Sequence, residues 1–201
     1  IRYARERVLA AGNPALSDVD RKSIATDLRA QFDAMLAIAN TRDANGDYLF
    51  AGYKSDTSPF EKNTETLTAA YKGDQGIRTM QVSSSRFMPV SFGGERVFGT
   101  GDDSVFKVLG DFITALEGGG AVSGAVSAAL GGLDTSLDNV LTTRAQIGSQ
   151  RVEVEQLGFI GSDLDLQYAT TLSSLQDLDY NEAISRLTQQ KTYLQAAQQS
   201  F

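Results

Sequence analysis

The sequence predicts a mainly α chain with a β-rich insert, an α+β fold in which both chain ends build an elongated helical bundle around a small antiparallel β region. Three observations predict it. Near each end, apolar residues recur at alternating gaps of three and four, the seam of a coiled-coil-like helix. Between about Asp47 and Val97 the period switches to two, as in half-buried strands. Clusters of Gly, Asn and Asp punctuate the switches.

The elements follow in order. Ile1 to Ala11, rich in Ala and Arg, reads as a helix stopped by Gly12-Asn13-Pro14. Ser17 offers an N-cap with Asp20 three residues on, a near capping box. Ala25, Leu28, Phe32, Met35 and Ala39 form the seam of the next helix, Ile24 and Leu36 widen it to a bundle face, and the stop falls near Asn40–Asp43. Leu67, Ala69 and Tyr71 then alternate with polar residues, Gly73-Asp74-Gln75-Gly76 reads as a turn, and Arg78, Met80 and Val82 precede Met88, Val90 and Phe92. These are short antiparallel strands joined by hairpins, with Pro89 on an edge strand. Asp102-Asp103-Ser104 cap a short helix with Val105, Leu109, Phe112, Ile113 and Leu116 on one side, ending at Gly118-Gly119-Gly120.

A looser Ala/Gly/Ser stretch is expected as far as Gly131-Gly132. The heptad returns at Leu130, Leu133, Leu137, Val140, Arg144, Ile147, Arg151 and Val154. One helix of about 45 residues here would span roughly 65–70 Å at 1.5 Å per residue, although Gly148, Gly158 and Gly161 weigh against its continuity. Asp177-Leu178-Asp179 reads as a break and recap before a last helix carrying Tyr180, Ile184, Leu187, Lys191, Leu194, Gln198 and Phe201. The chain starts without Met inside a helical pattern, and its apolar stripe runs into the final residue, so a fragment trimmed at both ends is expected.

Composition excludes much chemistry. The 201 residues contain no His, Cys or Trp. That removes zinc and haem sites of the usual kind, Cys and Ser–His nucleophiles, redox pairs and disulfides. The formal charge of −7 argues against nucleic acid and anionic membranes as general partners. No apolar run approaches the ~20 residues that span a bilayer, and no cleavable secretory signal is expected. Seven acids (Glu153, Glu155, Asp163, Asp165, Asp177, Asp179, Glu182) and no base lie between Arg151 and Arg186, whereas the first 30 residues carry six bases against four acids. Helices from the two ends could pair through these flanks, or the flanks could be two solvated faces.

The candidate chemical motifs favour structural readings. Asp43-Ala44-Asn45-Gly46-Asp47 starts like a calcium loop, but Gly46 falls fourth rather than sixth and Lys54 occupies the acidic twelfth position, so a helix stop and turn is expected. Ser104-Val105-Phe106-Lys107 fits S-x-x-K without the S-D-N or K-T-G that would support it, and Ser104 reads as a cap. Gly99-Thr100-Gly101 lacks the Gly-Lys-Ser/Thr of a phosphate loop. Asp177 and Asp179 read as helix caps rather than an acid/base pair. Arg144 and Arg151 sit on a heptad seam, where they pair with acids of a neighbouring helix or chain or snorkel to the bundle edge. No catalytic, cofactor or metal residue is assigned. Leu28, Phe32, Met35, Leu133, Leu137, Val140, Ile184, Leu187 and Leu194 are the packing and assembly candidates, with Arg144 and Arg151 beside them.

Two stretches carry a family resemblance. Asn40-Thr41-Arg42-Asp43, Gly46, and Tyr48-Leu49-Phe50-Ala51-Gly52, preceded by Ala11-Gly12-Asn13 through Leu16-Ser17-Asp18, resemble the flagellar hook-associated protein 3 family, the hook–filament junction branch of the flagellin superfamily. The tail Leu175-Gln176-Asp177-Leu178-Asp179-Tyr180-Asn181-Glu182-Ala183-Ile184, with Leu187 and Leu194, is similar to its C-terminal helix, and Tyr71-Lys72-Gly73-Asp74 to its first strand turn. The resemblance is poor from about Glu95 to Leu130. It implies a helical inner domain over 1–60 and 132–201, a β-rich outer domain over 61–131, and terminal coiled-coil segments that are missing here. It further implies a secreted, non-enzymatic subunit of the extracellular flagellum without cofactors. Such a subunit is exported by the type III route with a cytoplasmic chaperone, and forms a ring between the first hook-associated protein and flagellin. A fragment without the coiled-coil segments would be monomeric or weakly associating. The alternative is a flagellin-like filament subunit or a surface adhesive protein, with an enzyme a distant third.

Overall fold

The computed structural model describes residues 1–176 and 180–199, with side chains for all of these except 180 and 181. The described residues are mainly helical with two small two-stranded antiparallel sheets. The order is α1 (Arg2–Ala11), α2 (Asp18–Ala39), β1 (Phe60–Asn63), β2 (Thr68–Tyr71), β3 (Thr79–Ser83), β4 (Arg86–Pro89), α3 (Gly94–Phe98), a 3-10 turn over Gly101–Asp103, α4 (Val105–Gly118), α5 (Ser123–Gln176) and α6 (Tyr180–Gln199). The chain divides into two compact units, Ile1–Glu153 and Val154–Phe201.

In the first unit the expected capping box forms. Ser17 Oγ accepts from the Asp20 backbone N–H at 3.2 Å, and the Asp20 carboxylate accepts from the Ser17 N–H at 3.1 Å. The α2 seam turns inward, with Ala25, Leu28, Phe32 and Ala39 buried, and α2 ends at Asn40 as expected. α4 presents Val105, Leu109, Phe112, Ile113 and Leu116 to the same core and adds Phe106. Phe32 and Phe106 meet edge to face at 5.4 Å, and Phe60 joins Phe106 at 5.1 Å and Phe98 at 5.4 Å. Such pairs add to the burial of their rings.

Several expectations change. The Ala/Gly/Ser stretch before Gly132 is not loose, because α5 starts at Ser123 and runs unbroken for 54 residues through Gly148, Gly158 and Gly161. Gly132 is small where α4 crosses: a Cβ there would lie 2.5 Å from Val108 Cγ2. Gly12 closes α1 with an ordinary helical φ of −71°. Its smallness lets α5 approach, since a Cβ would sit 3.3 Å from Val126 Cγ1. Strand β1 has no period-two signal of its own, yet it pairs with β2 in the register Phe60↔Tyr71 to Asn63↔Thr68. The turn at Gly73–Gly76 therefore joins two separate sheets rather than closing a hairpin. β3 and β4 do form a hairpin, with an irregularity between Gln81 and Ser83 and Pro89 at its end. Ser104 takes the N-cap position of α4 but makes no side-chain capping bond. The recap over Asp177–Asp179 lies outside the described residues.

The second unit comprises the rest of α5 and α6. Its apolar side chains lie largely in water, among them Phe159, Leu166, Leu175, Ile184, Leu187 and Leu194. Among the described residues no helix is long and apolar enough to cross a membrane.

Candidate functional site

Two features bear on function: a knot of loops built from the motif residues of the first unit, and the exposed apolar faces of the helices. The knot begins where α2 ends. The Asn40 side chain brackets Phe60, donating Nδ2–H to the Phe60 carbonyl at 2.9 Å and accepting the Phe60 N–H at 3.0 Å, as a paired strand would. Asp43 folds the next turn on itself, its Oδ1 accepting from the backbone N–H groups of Asn45 and Asp47 at 2.8 and 3.0 Å. A carboxylate engaged this way is a turn former, in keeping with the helix-stop reading of Asp43–Asp47. Arg42 donates to the Tyr48 hydroxyl at 2.8 Å and lies over its ring, and Arg78 reaches Asp47 at 2.9 Å.

The Asn40–Gly52 and Tyr71–Asp74 stretches are tied to each other. The Asp74 N–H donates to the Ala51 carbonyl, while Asp74 Oδ1 accepts from Tyr53 N–H and Gly76 N–H, both at 2.8 Å. Those two N–H groups hold the Asp74 carboxyl below the ordinary range. The Tyr71 hydroxyl lies 2.7 Å from the Asp74 carbonyl and 3.0 Å from that of Phe50, and burial pushes its pKa up. Gly52 has a φ of +71°, and a Cβ there would fall 2.1 Å from Asp74 Oδ1. The resemblance-carrying residues of the first unit, Asn40–Gly52 and Tyr71–Asp74, are thus architectural, and the knot fixes the β1–β2 sheet to the end of α2.

The candidate residues separate by position. Leu28, Phe32 and Leu133 are wholly buried, and Met35, Leu137 and Val140 are half-buried. Arg144, Arg151, Ile184, Leu187 and Leu194 are exposed, and among the described residues neither arginine makes an ion pair. The N-terminal bases Arg5, Arg7 and Arg29 meet Asp134, Asp27 and Glu117, none of which lies in the acidic run. Arg86 reaches that run, forking onto Glu153 at 2.5 and 3.0 Å and tying the β3–β4 hairpin to α5. Lys107 points to Asp111 at 2.6 Å, and among the described residues Ser104 Oγ has no partner. Among the described residues no group of three His, Cys, Asp or Glu could hold a metal. Reading the sequence missed the Asn40 bracket and Phe106. An Asn at a helix C-cap was the available signal for the first, and a second aromatic beside the α4 seam for the other.

No family model matches the chain. It is 37% identical over 222 aligned residues to the flagellar hook-associated protein 3 of Salmonella typhimurium, covering all of this chain and 69% of that protein. The chain belongs to the flagellar hook-associated protein 3 family. It is a structural protein of the flagellar hook–filament junction, outside the cell, and not an enzyme. Solved structures share the fold. The hook-associated protein 3 of Legionella pneumophila superposes with a TM-score of 0.77 at 20% identity, covering 89% of this chain and 88% of that one. A structure described as the flagellar junction protein FlgL, also from Legionella pneumophila, gives 0.70 at 19% identity, covering 84% and 86%. Membership of the hook-associated protein 3 family decides between the open readings, setting aside the filament subunit and the adhesive protein.

Proposed function

We propose that this chain forms a ring of identical copies, with the first hook-associated protein on one side and flagellin on the other. The exposed apolar face of α5 and α6 carries this reading: Phe159, Leu175 and Leu187 leave 73%, 79% and 65% of their surface in water. Apolar surface on that scale marks a face that another chain covers, and unpartnered helices complete bundles in the same way. The inner helical part, 1–60 and 132–201, stacks along the axis, while 61–131 faces outward and tolerates sliding between neighbours. Arg144 and Arg151 meet acids of an adjacent helix, and a cytoplasmic chaperone shields the stripe before type III export. The isolated chain is monomeric.

The test is deletion and complementation in the organism's own flagellum. A strain lacking the protein should keep its hooks and release unpolymerised flagellin into the medium. Leu187→Asp with Leu194→Asp should leave the first unit folded and fail to restore filaments. Intact filaments in the deletion strain would overturn the junction role, and full complementation by the double variant would remove the apolar stripe from it.

A further inference from the structure

We propose that the free edge of β2 accepts an extended, basic segment of a partner protein as an added strand. Among the described residues the β1–β2 sheet has two strands, so β2 pairs on one side alone. A groove of about 650 Å³ is lined by Thr68, Ala69, Ala70 and Tyr71 in succession, while β1 contributes only Phe60. Successive residues of a strand point to opposite faces. A groove touching all four therefore runs along the edge of β2, on the side away from β1.

This edge lacks the devices that prevent edge-to-edge pairing. Exposed edges are blunted by charged residues, proline or bulges. The β3–β4 hairpin has all three, in Arg86, Pro89 and the irregularity at Gln81–Ser83. β2 reads Thr-Ala-Ala-Tyr in unbroken register, with no charge, proline or bulge along it and small side chains at Ala69 and Ala70. Main-chain hydrogen bonds to such an edge supply affinity, and alternate side chains of the added strand supply specificity.

The opposite wall sets the charge of the partner. It comes from the turn Gly99–Asp102 and from Ser104, Lys107 and Asp111, with Glu95 also lining the groove. Three carboxylates and one ammonium line the groove; Lys107 is held by Asp111 at 2.6 Å with Asp102 at 3.8 Å, and Glu95 accepts from Gln75 at 3.1 Å. Asp102 is almost wholly exposed. Ser104 on that wall is a buried side chain whose Oγ lacks a hydrogen-bond partner among the described residues. An extended segment with Lys or Arg at alternate positions matches this wall, because its cations meet Asp102 and Glu95 while its backbone pairs with β2.

The isotope-labelled chain would be titrated with acetyl-(Lys-Val)3-amide and acetyl-(Glu-Val)3-amide and followed by backbone amide shifts and hydrogen exchange. The lysine peptide should shift the amides of 68–71 and 99–104 and slow exchange in β2. The glutamate peptide should bind at least tenfold more weakly, and Asp102→Lys should weaken the lysine peptide at least fivefold. A lysine peptide N-methylated at alternate positions should lose binding, since it cannot complete the ladder. No shift in β2, equal binding of both charge types, no effect of Asp102→Lys, or undiminished binding of the N-methylated peptide would each overturn the proposal.

Discussion

At the residue scale, Phe32 joins sequence pattern to energetics. It lies on the predicted α2 seam, is wholly buried, and meets Phe106 edge to face. Phe32→Ala should cost about 3–5 kcal/mol, as removal of a buried ring usually does. Urea denaturation would measure it, and an unchanged midpoint would show that the α2–α4 interface is not core. Gly52 illustrates the opposite constraint, on a side chain that cannot be added. Its positive φ penalises any Cβ by roughly 1–2 kcal/mol, and Asp74 Oδ1 already fills the space. Gly52→Ala should therefore destabilise by more than 1 kcal/mol and raise hydrogen exchange at Tyr53 and Gly76, whose N–H groups Asp74 holds.

At the element scale, glycines inside helices separate into two kinds that composition cannot distinguish. Gly110 lets α4 press against the β1–β2 turn, where a Cβ would lie 1.9 Å from the Leu67 carbonyl. Gly110→Ala must displace backbone, and it should destabilise. Gly148 in α5 has open space around its Cβ position. Gly148→Ala should then stabilise the isolated chain by about 1 kcal/mol, the helix-propensity difference. Circular dichroism melts of the two variants should shift in opposite directions. The helices were legible because a three–four period persists over many residues whatever packs on it. β1 was not, because Phe60–Asn63 becomes a strand only through Asn40 and β2, and neither partner can be read from four residues.

At the scale of the whole molecule, acid is the condition that should weaken the fold. Asp20 is held low by the Ser17 hydroxyl, Asp74 by backbone N–H groups, and Glu117 and Glu153 by Arg29 and Arg86. A carboxyl with a lowered folded pKa stabilises above its unfolded value, near 4 for Asp and Glu, and loses that contribution as pH falls through the folded value. No histidine is present to add a transition between pH 5 and 8. The urea midpoint should accordingly hold above about pH 5 and fall steadily below about pH 4. A fall beginning near neutrality would show that other groups govern acid stability. The exposed ion pairs contribute little each, so raised salt should move the midpoint far less than acid does.

The sequence by itself determined the helical ends, the period-two centre, the capping box at Ser17 and the family, since each rests on local periodicity or on a contiguous motif. It also determined the absence of thiol and imidazole chemistry. Only the tertiary structure decided that β2 pairs with β1, that α4 shares its core with α2, and that α5 begins at Ser123. It alone decided that the motif around Asn40–Gly52 is a knot tied to Asp74. The physical reason is range. A helix seam repeats within one segment, whereas Asn40 with Phe60, Gly110 with Leu67 and Tyr53 with Asp74 are single contacts between distant segments, and they acquire meaning only when the chain brings them together.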